Sequence, residues 1–265
     1  TPVMTTTEMQ IRELEPWFHN LHFPDGTQTA PNHPLGDFPA FKWRQIAPYL
    51  PGNLRGWRVL DIGCNAGFYA FELAKRGASV IGIDVDAKYL RQARWAARRL
   101  KLRSRPSFRR GTIYGLGQQS ETFDLVVFMG VFYHLRYPLL GLDIAARKAR
   151  KFLVFQSLTI PDLDVDTKTV DHAESLGGLD KRQELAAPGW PRMAFIEESF
   201  AGDPTNWWIP NRAGILSMLR SCGLRITAEP GDEIFLCEPD PGARISPFAE
   251  ADYRAVIGSG KGLRP

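Results

Sequence analysis

The chain is poor in cysteine and has neither a long apolar run nor an internal repeat, and each lack removes a class of protein. Its three cysteines, Cys64, Cys222 and Cys237, lie far apart and form neither a disulfide framework nor a zinc-ligand spacing. They read as reduced thiols. No apolar stretch reaches membrane-spanning length, and the first residues lack the charged-then-apolar pattern of a secretion signal. A soluble, cytoplasmic protein with no membrane partner is expected. Acidic residues are missing from one long interval. Between Lys88 and Arg110 there are ten Lys or Arg and no Asp or Glu, although the formal net charge is only +4. Such a run suits nucleic acid or another anion, or it is the solvated face of a helix. The apolar stripe Leu90, Ala93, Ala97 and Leu100 favours the helix face. At 265 residues the chain can bury a full core without cross-links.

What is present centres on RVLDIGCNAGFYA, residues 58–70. An apolar strand (Val59, Leu60, Ile62) runs into a turn holding Gly63 and Gly67, and a helix starts at once with Phe68. A strand, glycine turn and helix in this order present backbone N–H groups and a helix N-terminus to a nucleotide-like ligand. The dinucleotide fingerprint G-x-G-x-x-G fails, because counted from Gly63 its other glycine positions hold Asn65 and Phe68. Asn65 tolerates the left-handed backbone such a turn requires. Asp61 lies near the end of the first strand, and Asp84 ends the next, where a carboxylate meets ribose hydroxyls in doubly wound folds.

Read in order, residues 8–17 form a short helix ending near Pro16, followed by a turn-dense, aromatic loop that suits a lid. Residues 40–50 make a second helix with Phe41, Ile46 and Tyr49 on its buried side. Strands follow at 57–62, 79–84, 107–110, 123–130 and 151–158, with helices between, including a basic one at 87–101 capped by Asp86 and one at 138–150. The continuous apolar runs FDLVVFMG and KFLVFQSL suit central parallel strands. An α/β, doubly wound, mostly parallel sheet is expected. Residues 160–190 are polar and acidic and read as an insertion or cover; a helix at 211–221 and strands at 224–229 and 233–237 restore order, and the last two dozen residues read as a tail. The division is N-terminal helices and lid at 1–50, a cofactor-binding core at 51–160, a cover at 161–204, the rest of the core at 205–240 and a tail at 241–265.

DIGCNAGFYA, VIGIDVD and FDLVVFMGVFYHLRYPL resemble the motifs of class I S-adenosylmethionine-dependent methyltransferases, with FKWRQIAPYL as an entry segment. The resemblance is greatest to the branch of bacterial tRNA wobble-uridine carboxymethyltransferases and relatives of unassigned substrate. It implies a seven-stranded, Rossmann-like sheet, S-adenosylmethionine as cofactor and S-adenosylhomocysteine as product. It also implies that Gly63, Asp84, Val85 and Met129 touch the cofactor, with Lys42 and Tyr133 at positions that hold the carboxylated donor in that branch. Asp61, Cys64, Asn65, Gly67, Phe68 and Ile113 complete the expected cofactor set. The chain departs from the branch at PWFHN, where His19 stands for a lysine, and has no clear match for its late arginine or its N-terminal extension. A carboxylated methyl group needs cationic partners in a dry pocket. The departures therefore point to the unmodified donor.

For methyl transfer to a hydroxyl the candidate catalytic residues are His134, Tyr133 and His19. His22, Gln156, Trp207, Trp208 and Asn211 are the candidate acceptor-binding residues, the tryptophans serving either as a stacking platform or as packing for a cap. No metal set is visible. The expected acceptor is a small molecule or saccharide, methylated on oxygen. Modification of tRNA at the wobble uridine and a non-catalytic S-adenosylmethionine-binding module are the alternatives.

Overall fold

A computed structural model describes residues 5–161 and 179–258. Residues 162–178 of the expected cover lie outside the described residues. In chain order the elements are α1 (Thr6–Glu13), α2 (Phe38–Ile46), β1 (Arg58–Ile62), α3 (Phe68–Lys75), β2 (Ser79–Asp84), α4 (Ala87–Leu100), β3 (Ser107–Arg110), α5 (Ile113–Leu116), β4 (Phe123–Met129), α6 (Pro138–Lys148), β5 (Ala149–Gln156), β6 (Met193–Phe195), β7 (Trp208–Pro210), α7 (Arg212–Ser221), β8 (Leu224–Gly231), β9 (Ile234–Pro239) and α8 (Pro247–Ile257). Seven strands form one sheet in the order β3-β2-β1-β4-β5-β9-β8, and β6 pairs with β7 in a separate ribbon. Pairing is parallel from β3 to β5, while β9 runs against both β5 and β8.

The apolar runs alternate between the two faces of this sheet. Val59, Leu125, Val127 and Val154 join the core under α3 and α4, whereas Leu60, Val126, Phe128 and Phe155 join the core containing Leu142, Ile144 and Ile215 of α6 and α7. Every residue of β4 is buried. Phe128, Phe132, Phe155 and Phe235 are fully buried in one cluster, each contributing about 2–3 kcal/mol of burial free energy. Register brings the strand ends together: Ile62 pairs with Ile83 and Phe128, Met129 with Gln156, and Gln156 with Ile234. Because β9 is reversed, its first residues lie at the same edge as the last residues of β1, β2, β4 and β5. That edge is where open α/β sheets bind ligands.

Several expectations change. Phe41 and Tyr49 are about half exposed, and Ile46 alone of the expected trio is buried; Tyr49 falls outside α2, in a single 3-10 turn at Ala47–Tyr49. Helix α4 buries more than its apolar stripe. Gln92 and Trp95 are buried too, since the N-terminal segment lies across them: Gln92 Nε2 donates to the carbonyls of Leu14 (2.7 Å) and Pro16 (3.0 Å), and Trp95 packs against Trp17 and Phe23. The expected tail includes α8, anchored by the Arg147–Glu250 ion pair and by Ile257 against Gly117. Among the described residues no helix is long and apolar enough to cross a membrane.

Candidate functional site

The glycine turn is wound more tightly than a phosphate-binding loop. Gly63 and Cys64 donate their N–H groups to the Ile83 carbonyl (2.8 and 2.9 Å), and Gly67 donates to the Cys64 carbonyl (2.8 Å). Asn65 N–H is held by Asp84 Oδ2 (2.9 Å), Ala66 N–H by Asn65 Oδ1 (2.7 Å) and Phe68 N–H by His19 Nδ1 (3.4 Å). Every N–H from Gly63 to Phe68 is thus engaged within the protein, contrary to the expectation that the turn offers them to a ligand. Asn65 adopts φ +51° and Gly67 φ +92°, the left-handed values that the sequence pattern suggested. Gly63 is required by crowding as well: a Cβ there would lie 2.3 Å from Val131, so the turns after β1 and β4 meet with no side chain between them.

Carboxylates are what the crevice leaves available. Asp61 is 1% exposed, and its Oδ2 has no partner among the described residues. Burial, reinforced by the neighbouring Asp84 charge, pushes its carboxyl up to about 7 against one helix N–H from Ala70. Burial raises Asp84 as well, and its two oxygens each hold one backbone N–H, from Asn65 and Asp86. A carboxylate oxygen has lone pairs beyond one such bond. The donor set therefore fits a nucleoside with free hydroxyls and positive charge but no phosphate, which describes S-adenosylmethionine. Asp84 would take the ribose hydroxyls, and the unpartnered Asp61 Oδ2 would oppose a cationic group.

The other cofactor candidates divide. Met129 ends β4 nearly buried, and Tyr133 follows on a 3-10 turn, its hydroxyl beside Gly130. Burial, with Glu233 and Asp203, pushes the Tyr133 phenol up to about 12. Val85 is 58% exposed at the rim after Asp84. Lys42 is set against the Phe38 ring; burial lowers its pKa while Glu233 opposes the shift. Two side chains are corrected to packing roles. Cys64 is buried against Gly82, and Ile113 is buried in the core beside Gly141, so neither side chain faces a ligand. Phe68 is buried between His19 and Tyr69, and only its place at the head of α3 borders the crevice.

His19 is corrected as a base. It is 5% exposed, its Nδ1 accepts the Phe68 N–H, and burial, with Lys42 and His33 nearby, lowers its pKa to about 3. It serves as a neutral cap for α3. His22 lies in the loop before α2, where its Nε2 meets Asp37 Oδ2 at 2.6 Å. His134 differs: its Nδ1 lies 2.9 Å from Thr205 Oγ1 and 3.7 Å from Asp203 Oδ2, and its Nε2 has no partner among the described residues. Burial lowers its pKa although Asp203 and Thr205 work the other way, so the ring is neutral at neutral pH.

The aromatic patch packs. Trp207 N–H donates to the Tyr133 carbonyl (2.8 Å), Arg136 lies over both Trp207 and Phe195, and Trp208 Nε1 donates to the Arg136 carbonyl (3.3 Å). These contacts clamp the β6–β7 ribbon onto the turn after β4. Asn211 is likewise a cap: its Oδ1 accepts from Gly214 (2.8 Å) and Arg192 (3.0 Å), and one hydrogen of its Nδ2 goes to the Trp190 carbonyl (2.9 Å). Gln156, 1% exposed, stays in the site. Its Nε2 donates to Glu233 Oε2 (3.3 Å), and its Oε1 has no partner among the described residues. Glu233 also accepts the Thr159 N–H (2.9 Å), and a cavity of about 950 Å³ opens here, lined by Lys42, Gln45, Gln156, Arg212, Asp232 and Glu233 among others.

Sequence reasoning missed Glu233, Asp203 and Thr205. Glu233 was visible only as one acid of a Gly-Asp-Glu hairpin, and Asp203-Pro204-Thr205 only as a turn. Among the described residues no cluster of His, Cys, Asp or Glu could hold a metal ion.

Residues 59–153 match the family described as "Methyltransferase domain". A tRNA U34 carboxymethyltransferase of Azotobacter vinelandii is 35% identical over 134 residues, covering 49% of this chain and 40% of the relative. One from Pseudomonas fluorescens is 40% identical over 102 residues, covering 37% of this chain and 30% of the relative. The chain thus spans less than half the length of these curated relatives. The N-terminal domain of EvdMO1 with SAH bound superposes with a TM-score of 0.60 at 20% identity, covering 91% of this chain and 98% of that one. Magnesium protoporphyrin IX methyltransferase from Synechocystis, with bound SAM, gives 0.50 at 19% identity over 76% of this chain and 77% of its own. Both share the fold. Residues 59–153, which run from β1 into β5, match a methyltransferase domain, and together with β8 and β9 they form the seven-stranded sheet that both solved structures share.

Proposed function

We propose that the protein transfers the methyl group of unmodified S-adenosylmethionine to a hydroxyl of an uncharged small molecule or saccharide. The observation that carries this reading is Glu233, a carboxylate at the junction of crevice and cavity, hydrogen-bonded to Gln156 and electrostatically coupled to Lys42 and Tyr133. Around the cavity Arg212 pairs with Glu229, leaving Lys42 to face Asp232 and Glu233. A phosphorylated acceptor or a carboxylated methyl group would bring negative charge against that excess in a partly dry site.

The bound donor supplies a methyl group already activated on positive sulfur, so the protein's work is orientation, exclusion of water and removal of one proton. Asp84 holds the ribose side, and Gln156 Oε1 and Glu233 accept hydrogen bonds from acceptor hydroxyls. His134 takes the proton at Nε2.

The second reading, tRNA modification, draws on the similarity to the U34 carboxymethyltransferases and on the basic α4 segment. Against it, α4 packs on β2 and β3, at the end of the sheet away from the cavity beside β5, β9 and β8. Incubation with S-adenosylmethionine and either a panel of neutral sugars or unfractionated tRNA separates the readings by release of S-adenosylhomocysteine. D-fucose is a reasoned first probe, since the EvdMO1 domain was crystallised with SAH in its presence. Turnover with neutral sugars supports the proposal. Methylation of tRNA alone, weakening steeply with salt, would replace it, and turnover of either kind excludes a mere binding module.

A further inference from the structure

We infer that Asp203 and Thr205, in the turn between β6 and β7, are positioning residues that hold His134 as its Nδ1–H tautomer, leaving Nε2 as the ring's lone-pair nitrogen. The inference rests on the reading of His134 as the base of the proposed reaction and adds what makes it one.

Asp203 Oδ1 lies 2.7 Å from the Thr205 N–H and 2.6 Å from Thr205 Oγ1. Burial acts to raise the Asp203 carboxyl, but the Thr205 hydrogen bonds outweigh it and hold the group below its ordinary range. It is ionised at neutral pH and can only accept. The single Thr205 hydroxyl proton therefore points at Asp203. Only a lone pair of Oγ1 is left for His134 Nδ1 at 2.9 Å, so Nδ1 must carry the hydrogen of that bond. In a neutral imidazole the other nitrogen is then bare. When Nε2 takes a proton, the new charge is met by Asp203 Oδ2, 3.7 Å from Nδ1.

The turn is built to hold this position. Ala201 at φ +54° and Gly202 at φ +76° reverse the chain, and Phe200 and Asp203 exchange backbone hydrogen bonds (3.2 and 3.1 Å). Asn206 Nδ2 donates to the Phe200 carbonyl (2.9 Å), and the Trp207–Tyr133 backbone bond (2.8 Å) ties the turn to the segment that carries His134. The groups facing the ring are Asp203, Thr205 and Tyr133, whose ring centroid is 4.3 Å away. Asp203 is the charged member.

The test reads the tautomer directly. Long-range proton–nitrogen correlation NMR on the full chain saturated with S-adenosylhomocysteine gives one pattern per histidine, five in all, with His134 assigned by its loss in His134→Gln. The expected result is Nδ1–H for His134 in the parent protein. Thr205→Val and Asp203→Asn should shift the population toward Nε2–H, and Thr205→Ser should restore the parent pattern. With a turned-over acceptor, kcat in Thr205→Val and Asp203→Asn should fall 10- to 100-fold with little change in KM. In Asp203→Asn the acid limb of the pH profile should move to lower pH, because the carboxylate that favours the imidazolium is gone. An Nε2–H pattern in the parent protein, or a tautomer unchanged in both variants, overturns the inference whatever the activity. A correct tautomer in an enzyme that keeps full activity as His134→Gln overturns the base reading instead and leaves the positioning intact.

Discussion

The two halves of the strand-end crevice are made differently. On the β1–β2 side the polar groups come from one stretch of 24 residues between Asp61 and Asp84, and they are linked by backbone hydrogen bonds inside a single strand–turn–helix–strand unit. On the β4–β5 side the groups come from five separate parts of the chain: Lys42 in α2, Tyr133 and His134 after β4, Gln156 at the end of β5, Asp203 and Thr205 before β7, and Glu233 before β9. The first half is a rigid local device suited to a fixed ligand. The second is an assembly, and its chemistry changes whenever one of five segments changes. A shared donor and a variable acceptor are what such a division provides.

The largest way to break the contrast is at Asp84. Asp84→Ala removes two carboxylate–N–H bonds, one to the turn at Asn65 and one to Asp86, together with the proposed acceptor for the ribose hydroxyls. Bonds to charged groups are worth about 1.5–3 kcal/mol each, so affinity for S-adenosylhomocysteine should fall at least about 100-fold in calorimetry. Variants of the acceptor half should change that affinity by no more than a few-fold. Comparable losses from Glu233→Gln would mean that the halves are not separate.

Asp61 sharpens the same half through stability. Its folded carboxyl, up at about 7 against an ordinary 3.8, binds a proton more tightly than the unfolded chain does. Its favourable contribution is complete below about pH 4 and is lost as pH rises through 7, a loss on the order of 4 kcal/mol. Asp61→Asn should melt within a degree or two of the parent near pH 4 and several degrees above it at pH 8, without ligand, while binding S-adenosylhomocysteine more weakly. A parent protein whose melting temperature is level from pH 4 to 8 would contradict the assignment.

Legibility followed this division. Asp61, Gly63, Asn65 and Asp84 could be read as a unit because their geometry is set by neighbours within one β-α-β span, whose periods and glycines show in the sequence. The N–H groups expected to be free in the turn are taken up by Ile83 and Asp84 at the end of the next strand and, for Phe68, by His19 from outside the unit. Across the sheet, Gln156 was visible as a polar strand end, but Glu233 is brought to it only by the reversed β9, and no spacing announces that. His134 could be named while its partners could not, because Asp203 lies 69 residues on and the two meet through the β6–β7 ribbon. Asn211 failed in the other direction: an asparagine beside two tryptophans suggests a ligand platform, yet Asn before a helix is first of all a cap.

That cap gives a smaller test. Asn211→Ala leaves the Gly214 and Arg192 N–H groups without their acceptor and should cost about 2 kcal/mol, roughly 4–6 °C in melting temperature. The loss should appear in stability, with kcat/KM reduced less than threefold at a temperature where the variant is folded. A selective loss of acceptor binding at unchanged stability would return Asn211 to the site.

The finest expected effect is on selectivity, at Glu233. Glu233→Gln keeps the shape and an acceptor oxygen for the Thr159 N–H while removing one negative charge beside Lys42. Two opposed effects follow for an uncharged acceptor: one strong hydrogen-bond acceptor is lost, and Lys42 is left less well balanced. For an anionic acceptor a repulsion is removed and Lys42 becomes a free attractor. At about 5 Å with an effective dielectric near 20 a charge is worth a few kcal/mol, and solvent in so open a cavity reduces this to about 1.4 kcal/mol. The ratio of kcat/KM for a neutral sugar over its carboxylated counterpart should therefore fall about tenfold, while affinity for S-adenosylhomocysteine stays within a factor of three. An unchanged ratio would mean that the Glu233 charge does not select the acceptor, and the preference for uncharged substrates would then have to come from the shape of the cavity.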